Sequence, residues 1–279
     1  AFTAAILDVS SPEQKKIYFL AGHGETDLNN DTRRGLSELR DALRARNYAI
    51  DTLDLARDNT RDPARLREVL KNAALIISAG PTSRYDAVEQ ELLRKYLSEN
   101  AGRLMLFIGP GLASTGLEDL LYDWGLIADN VWVFDNSAGS QTDNGGLILG
   151  AYWPHPITQT LIDNQLPVHF GAIRTLRPHP GAVPDPSRSV SKLIGLPETA
   201  WGERDYARGR PAFTQGVDLR GSGDFLLPVA TAAERLAAKD NLPFSVPVGR
   251  LVAFGSADFI ANERLSDRGF ALLQEGLIG

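Results

Sequence analysis

The sequence predicts an α/β fold of the doubly wound type, built on a mostly parallel sheet. Through the first 135 residues, short apolar runs alternate with amphipathic helical patterns, and most of the runs end in turn-forming residues. Strands that are separated by helices of this length pair in parallel through right-handed crossovers. One apolar run of the same style returns near the end of the chain.

The first apolar run, residues 17–21, lies between two lysines and a glycine-rich turn, which is typical of a buried strand. Residues 32–46 follow with leucines on one helical face and arginines around the rest. Residues 48–55 then alternate as a second strand does.

The next helix is marked by its start, where Asp62 is placed as N-cap and Pro63 as the first helical residue. Residues 73–79 predict a third strand, residues 83–100 a long amphipathic helix, and residues 104–108 a fourth strand.

A short helix over residues 117–124 ends at Gly125, which is placed as the residue after the C-cap. Residues 131–134 predict a fifth strand. Residues 250–255 return to the style of an apolar run, and we expect them to rejoin the main sheet.

The middle of the chain, residues 136–247, is irregular and rich in Gly, Pro and Ser. Residues 177–188 contain four prolines and predict a loop. We expect strands at residues 168–176, 189–194 and 223–230. The whole chain, residues 1–279, is therefore expected to be a single α/β domain, with residues 136–247 as an irregular, β-rich insertion or subdomain.

Charge and composition exclude several classes of function. The formal net charge is −6, which argues against a general nucleic-acid or anionic-membrane surface. The absence of cysteine excludes disulfides, a thiol nucleophile and thiolate metal sites. No stretch approaches the roughly 18 apolar residues that a membrane helix needs, so any anchor is expected outside this chain. We expect no cofactor.

The turn Gly22-His23-Gly24-Glu25 follows the first strand, where ligands bind in open α/β sheets. Glycines let a backbone approach a ligand closely, and His and Glu side chains can act as acids, bases or metal ligands. The alternative is a tight turn whose His and Glu only hydrogen-bond to neighbouring loops. A metal set of His23, Glu25 and Asp27 is a weaker alternative.

Other patterns argue against familiar catalytic sites. Gly109-Pro110-Gly111 follows the fourth strand, but the next glycine, Gly116, comes too late for a dinucleotide-binding fingerprint. No G-x-S-x-G nucleophile elbow occurs. A carboxylate-pair hydrolase stays open, because the 35 acidic residues allow many pairs.

Five aromatic residues near the irregular middle could line a sugar or peptide groove, or could be core and loop anchors. They are Trp132, Tyr152, Trp153, Trp201 and Tyr206.

Several segments, in this order, resemble the extracytoplasmic domain of gliding-motility-type ABC-transporter auxiliary proteins. The most distinctive are the opening strand with its G-H-G-E turn, residues 16–25, and the closing strand with its loop, residues 250–262. Between them lie residues 35–39, 48–55, 76–81, 91–106, 117–126 and 155–158. The chain departs from the family at its C-terminus, where residues 270–279 are only a stub of the expected helix.

The resemblance implies a glutamine-amidotransferase-like or flavodoxin-like fold that lacks the catalytic Cys. It implies a non-catalytic, soluble domain of a membrane-anchored auxiliary component on the periplasmic face of the inner membrane. The implied partners are an ABC permease and ATPase, with a polymer or peptide as a further ligand. The candidate ligand-binding residues are Gly22, His23, Gly24 and Glu25, followed by Pro81, His155, Asp258 and Asn262. The alternative is a metal- or carboxylate-assisted hydrolase that uses His23 and Glu25, together with Asp258.

Overall fold

An eight-stranded sheet runs through the centre of the protein in this computed structural model, which describes residues 14–111, 113–137, 146–208, 211–221, 226–238, 245–265 and 268–278. The strands of the described residues are β1 (Lys16–Leu20), β2 (Ala49–Leu53), β3 (Ala73–Ala79), β4 (Arg103–Phe107), β5 (Leu126–Ala128), β6 (Trp132–Phe134), β7 (Ile148–Leu149), β8 (Ala151–Tyr152), β9 (Val168–His169), β10 (Leu176–Pro178), β11 (Arg188–Gly195), β12 (Trp201–Glu203), β13 (Pro228–Ala238) and β14 (Ser245–Phe254). The helices are α1 (Ser37–Ala45), α2 (Leu55–Arg61), α3 (Pro63–Asn72), α4 (Ala87–Glu99), α5 (Leu117–Asp123), α6 (Pro156–Asn164) and α7 (Arg268–Ile278).

The strand order of the large sheet is β2-β1-β3-β4-β14-β13-β11-β8. The first five of these strands are mutually parallel, and the last three pair antiparallel. Arg250 lies opposite Arg103 and Phe254 opposite Phe107, so β14 and β4 end at the same level. The structure confirms an α/β fold with a large, mostly parallel central sheet.

Hydrophobic cores cover both faces of the sheet, as in doubly wound folds. On one face the sheet packs against leucines and aromatics of α1, α6 and α7, including Leu39, Leu43, Leu161, Phe270 and Leu273. On the other face it packs against α3, α4 and α5, through residues that include Leu66, Leu70, Leu93, Leu97 and Leu121. The parallel strands β1, β3 and β4 are apolar along most of their length because both of their faces are buried, whereas the edge strand β2 exposes Asp51 and Thr52.

Local sequence signals set several helix ends. The Asp62 carboxylate accepts from the backbone N–H of Arg65 at 3.0 Å, which confirms the predicted start of α3. Gly125 has φ of 74°, as expected for the residue that terminates α5. The helix α2, capped by Asp54, was not predicted. The predicted helix over residues 32–46 begins only at Ser37, because the residues before it form turns.

Two strand predictions are corrected: the strand at 131–134 forms as β6 but in another sheet, and the strand at 168–176 is divided. The segment at 131–134 does not join the parallel sheet: β6 pairs antiparallel with β12, and the place beside β4 belongs to β14. The segment at 168–176 is divided into β9, which pairs with β7, and the start of β10, which pairs with β5. A bend at Gly171 separates the two.

The described parts of residues 136–247 contribute β8, β11 and β13 to the antiparallel edge of the central sheet. The predicted strand at 189–194 is confirmed as β11, and the predicted return of residues 250–255 to the main sheet is confirmed by β14. Residues 223–225 of the strand predicted at 223–230 lie outside the described residues. That residues 136–247 form an insertion stays a prediction.

The predicted C-terminal stub forms the helix α7, and no helix of the described residues is long and apolar enough to cross a bilayer.

Candidate functional site

The strand order places a topological switch point between β1 and β3. From β1 the chain moves first to β2 on one side and then to β3 on the other. Ligands of doubly wound folds bind in the crevice beyond the carboxyl ends of the strands at such a point. The predicted site residues Gly22–Glu25 follow β1, and Pro81 follows β3, so the structure brings these two segments to the same crevice.

Two glycines shape the turn after β1. Gly22 has φ of 110° and Gly24 has φ of 77°, in the region that favours glycine. The carbonyl of His23 accepts from the backbone N–H groups of Thr82 at 2.8 Å and Ser83 at 3.0 Å. The turn after β1 is therefore hydrogen-bonded to the turn after β3.

The His23 cluster, made of Glu25, Tyr85, Glu89 and Ser78 around His23, fills the crevice. The Nε2 of His23 lies 3.0 Å from Oε2 of Glu89, and its ring stacks on that of Tyr85 with the centroids 3.9 Å apart. The Tyr85 hydroxyl donates to Oε1 of Glu25 and lies 3.2 Å from Oγ of Ser78. The Oε2 of Glu25 accepts from the backbone N–H of His23 at 2.7 Å.

The His23 cluster is nearly closed to solvent. The side chains of Glu25 and Glu89 are each 2% exposed, and that of His23 is 11% exposed. Burial raises the pKa of Tyr85, and the charge and hydrogen bond of Glu25 raise it further, so its hydroxyl stays a proton donor. Two buried atoms, Nδ1 of His23 and Oε1 of Glu89, have no hydrogen-bond partner in the described parts of the chain.

Glu89 is also part of a helix cap. Its Oε2 accepts from the backbone N–H of Asp86 at 2.8 Å, and the Asp86 carboxylate accepts from the N–H of Glu89 at 2.8 Å. This reciprocal pair is a capping box at the start of α4. Neither Tyr85 nor Glu89 was predicted as a site residue. The D-x-x-E spacing of Asp86 and Glu89 was a signal for Glu89. Tyr85 fell within the amphipathic helix predicted over residues 83–100, but it precedes α4 in the structure.

An open cleft of about 800 Å³ lies beside the His23 cluster, at the same end of the sheet. It runs between the loop after β1 and the loop after β14. Its lining is Thr26, Arg33, Arg34, Leu36, Trp132, Gly146, Gly171, Ala172, Ala257, Asp258, Ala261, Glu263 and Arg264. A second cavity of about 30 Å³ under α7 is lined entirely by apolar side chains and lies within the core.

The predicted residue Asp258 belongs to this cleft. It is exposed, and its Oδ2 accepts from the backbone N–H of Ala172 at 2.8 Å. A Cβ on Gly171 would come within 2.2 Å of the Asp258 carboxylate, so the glycine allows this close contact.

The predicted residue Asn262 is buried behind the cleft. Its Oδ1 accepts from the N–H of Glu38 at 3.0 Å, and its Nδ2 donates to the carbonyls of Asn30 and Thr32 at 3.2 and 2.7 Å. Its amide is thus engaged by the protein itself, and it supports the loop before α1.

The predicted residue His155 is far from the crevice. It caps α6, where its Nδ1 accepts from the N–H of Ile157 at 3.2 Å, and burial lowers its pKa. It lies three residues after the end of β8, a strand that is six positions from β1 and hence about 29 Å away across the sheet. Pro81 is buried in its turn.

The described residues contain no group of three His, Asp or Glu side chains that could hold a metal ion. The set of His23, Glu25 and Asp27 does not come together, because Asp27 is exposed and its Oδ1 accepts from the N–H of Asn29.

The aromatic residues of the middle segment separate into two groups. Trp132 is exposed at the cleft, 5.9 Å from the ring of Tyr206. Trp201 is buried and donates to Glu203 at 3.2 Å, as a core residue does.

No protein-family model matches the sequence, and no curated protein matches it. The solved structures that are similar to this chain include the following two. One is the N-terminal domain of mmIFT52, with a TM-score of 0.61 and 18% identity over 94% of each chain. The other is a putative ThuA-like protein from Bacteroides uniformis, with a TM-score of 0.48 and 15% identity over 95% of this chain and 89% of that one. The first likeness shows a shared fold along almost the whole chain.

Proposed function

We propose that this protein is a non-catalytic domain of a membrane-anchored ABC-transporter auxiliary component, on the periplasmic face of the inner membrane. Its fold would be of the glutamine-amidotransferase-like or flavodoxin-like kind. The five parallel strands support this, because their order β2-β1-β3-β4-β14 becomes 2-1-3-4-5 when β14 is counted as the fifth parallel strand along the chain. The ordered resemblance of residues 16–25 and 250–262 to that family supports the transporter context. An ABC permease and ATPase would be its partners, and a polymer or peptide a further ligand.

The observation that carries a non-catalytic role is the closure of the His23 cluster. A general acid or base must reach its substrate directly or through one water. His23, Glu25 and Glu89 instead contact one another, Tyr85 and the backbone, with little exposed surface. The cluster occupies the crevice where a substrate would bind in a related fold, and it joins the turns after β1 and β3.

The surface that remains for binding is the open cleft. Its volume of about 800 Å³ falls within the range of ligand sites. It lies beyond the carboxyl ends of β1 and β14, and it offers polar, charged and aromatic side chains. We place the ligand or partner contact of the domain there.

The test is crosslinking in the native membrane, followed by affinity purification and mass spectrometry. Recovery of an ABC permease and ATPase in near-stoichiometric amounts is the expected result. Recovery of neither, from protein shown to be intact, would overturn the transporter assignment.

A hydrolase that uses His23 and Glu25 is the second candidate. The observation in its favour is the 3.0 Å contact of His23 with Glu89 at the switch point, with one buried nitrogen of His23 left unpartnered. This candidate predicts hydrolysis of a model ester or phosphoester by the purified protein, lost in His23→Ala. Elemental analysis for bound metal separates its metal-assisted form from its carboxylate form.

A further inference from the structure

Three arginines line the open cleft, and only one of them forms an ion pair with a described residue. Arg33 pairs with Glu263 at 3.0 Å, and Asp258 accepts from a backbone N–H. Arg34 and Arg264 have no ion pair with any described residue. The Nε of Arg264 is buried and has no hydrogen-bond partner among the described residues. An acidic protein of net charge −6 thus presents two unmatched cations in one cleft.

The two arginines come from distant parts of the chain, and the backbone holds those parts together. The N–H of Asn262 donates to the carbonyl of Gly35 at 2.9 Å, and the N–H of Glu263 donates to the carbonyl of Arg33 at 3.0 Å. The segment that carries Arg34 is therefore bonded directly to the segment that carries Arg264.

The side chain of Asn262 strengthens this junction. Its amide bonds to the backbone of Asn30, Thr32 and Glu38, so it braces the loop on both sides of Arg34. The loop is also tightly packed, because a Cβ on Gly35 would come within 1.8 Å of the Asn30 carbonyl oxygen. Preorganisation of this kind lowers the cost of ordering the site when a ligand binds.

We propose that the cleft binds an oxyanion, a carboxylate or a phosphoryl group, between Arg34 and Arg264, with Asn262 as a positioning residue. A guanidinium presents a planar fork of donors that matches the oxygens of either group, and such charge-assisted bonds are strong. The buried Nε of Arg264 gains an acceptor in the complex. Trp132 offers an exposed ring to the body of the ligand. The inference deepens the proposed function and rests on it for its biological meaning.

The test is isothermal titration of the whole protein with inorganic phosphate and with citrate in a low-chloride buffer. At least one anion is expected to bind, and the preferred one distinguishes a phosphoryl from a carboxylate ligand. Arg34→Gln and Arg264→Gln should each weaken binding about tenfold or more, because each removes a charged hydrogen-bond donor. Arg61→Gln is the matched control, since it removes the same charge from the exposed end of α2.

Asn262→Ala tests the positioning role through the anion affinity of the folded protein, measured well below its unfolding temperature. A loss of several-fold is expected, whereas a residue that only stabilised the fold would leave that affinity unchanged. The inference is overturned if neither anion binds, or if the Arg34 and Arg264 variants bind as Arg61→Gln does. If neither anion binds but ABC subunits are still recovered from the membrane, only the proposed anion site is wrong. If an anion binds as expected but no ABC subunit is recovered, only the transporter assignment is wrong.

Discussion

The Nε2 of His23 lies 3.0 Å from Oε2 of Glu89, which connects the turn after β1 to the first turn of α4. The same carboxylate oxygen accepts from the backbone N–H of Asp86 in the capping box. One buried side chain therefore starts a helix and holds the strand-end turn. The His23 cluster consequently acts as a structural junction at the switch point, and its residues should govern stability.

Glu89→Ala should destabilise the protein strongly. It removes half of the capping box, for which about 0.5–2 kcal/mol is typical, and leaves a buried nitrogen unpaired, for about 1–3 kcal/mol more. Urea unfolding at neutral pH measures the free energy of unfolding. Glu91→Ala, on the exposed side of the same helix, is the control and should change stability by less than about 0.5 kcal/mol. Equal effects of the two changes would contradict the junction.

Tyr85→Phe should change the response to alkaline pH. Because the pKa of Tyr85 is raised in the folded state, wild-type stability is fully present below about pH 10 and falls as the pH rises above it. Above pH 10 the free energy of unfolding of the variant should therefore fall less steeply than that of the wild type, by about 1.4 kcal/mol per pH unit, which is the contribution of one proton. Tyr18 and Tyr96, whose pKa values burial also raises, titrate in both proteins and cancel in the comparison.

Unfolding curves between pH 9 and 11 make this measurement. At neutral pH the variant should also be less stable by about 1–3 kcal/mol, because Glu25 loses its donor. Tyr122→Phe removes the hydroxyl of an exposed ring, so its free energy of unfolding should match that of the wild type at every pH. Parallel pH dependences of wild type and Tyr85→Phe would show that the hydroxyl does not sense the cluster.

His155 should make the protein less stable in mild acid. Burial lowers its pKa below the usual 6.5, so its contribution is present above about pH 6.5 and is lost as the pH falls through the folded-state value. Protonation would also remove the acceptor that caps α6. His155→Asn keeps a cap acceptor without a titration, so its stability should fall less between pH 7 and pH 5. Denaturant unfolding at the two pH values decides, and an identical loss in both proteins would contradict the assignment.

Gly171→Ala should disturb the wall of the cleft. The new methyl group would lie about 2.2 Å from the Asp258 carboxylate and would break its bond to Ala172. A loss of about 1–3 kcal/mol is expected, as for overpacking elsewhere. Gly109→Ala is the matched control, because a Cβ there meets nothing within 4 Å. Thermal unfolding of both variants gives the comparison. If Gly171→Ala unfolds at the same temperature as Gly109→Ala, the contact between residue 171 and Asp258 adjusts to the methyl group and the prediction is wrong.

The sequence predicted those parts of the fold that local patterns determine. Runs of buried apolar residues indicated β1, β3, β4 and β14, because strands that are covered on both faces are continuously apolar and do not alternate between apolar and polar residues. Asp62 and Pro63 located a helix start to the residue. The apolar run that became β6 carried no information about its partner, so its place in the sheet was predicted wrongly.

The site was predicted less well, because its contacts join distant residues. The sequence located the turn Gly22–Glu25 after β1, since glycines at a strand end are a local signal, and the ligand-binding role of these residues stays a prediction. Tyr85 contacts Glu25 across 60 positions, and Asn262 holds the loop of Arg34 from more than 220 positions away. No spacing in the sequence indicates such pairs. The ligand-binding role predicted for Asn262 stays a prediction, and in the structure its amide is engaged by backbone groups of residues 30–38.

We propose a division of roles, in which the His23 cluster stabilises the fold and the open cleft binds the partner. It is tested most directly by membrane crosslinking and purification of wild type, Tyr85→Phe and the Arg34→Gln/Arg264→Gln double variant at equal expression. We expect Tyr85→Phe to recover the same partners as the wild type, and the double variant, which changes the surface proposed for the partner contact, to lose them. Loss of partners in folded Tyr85→Phe, with full recovery in the double variant, would contradict it and make the His23 cluster the binding site.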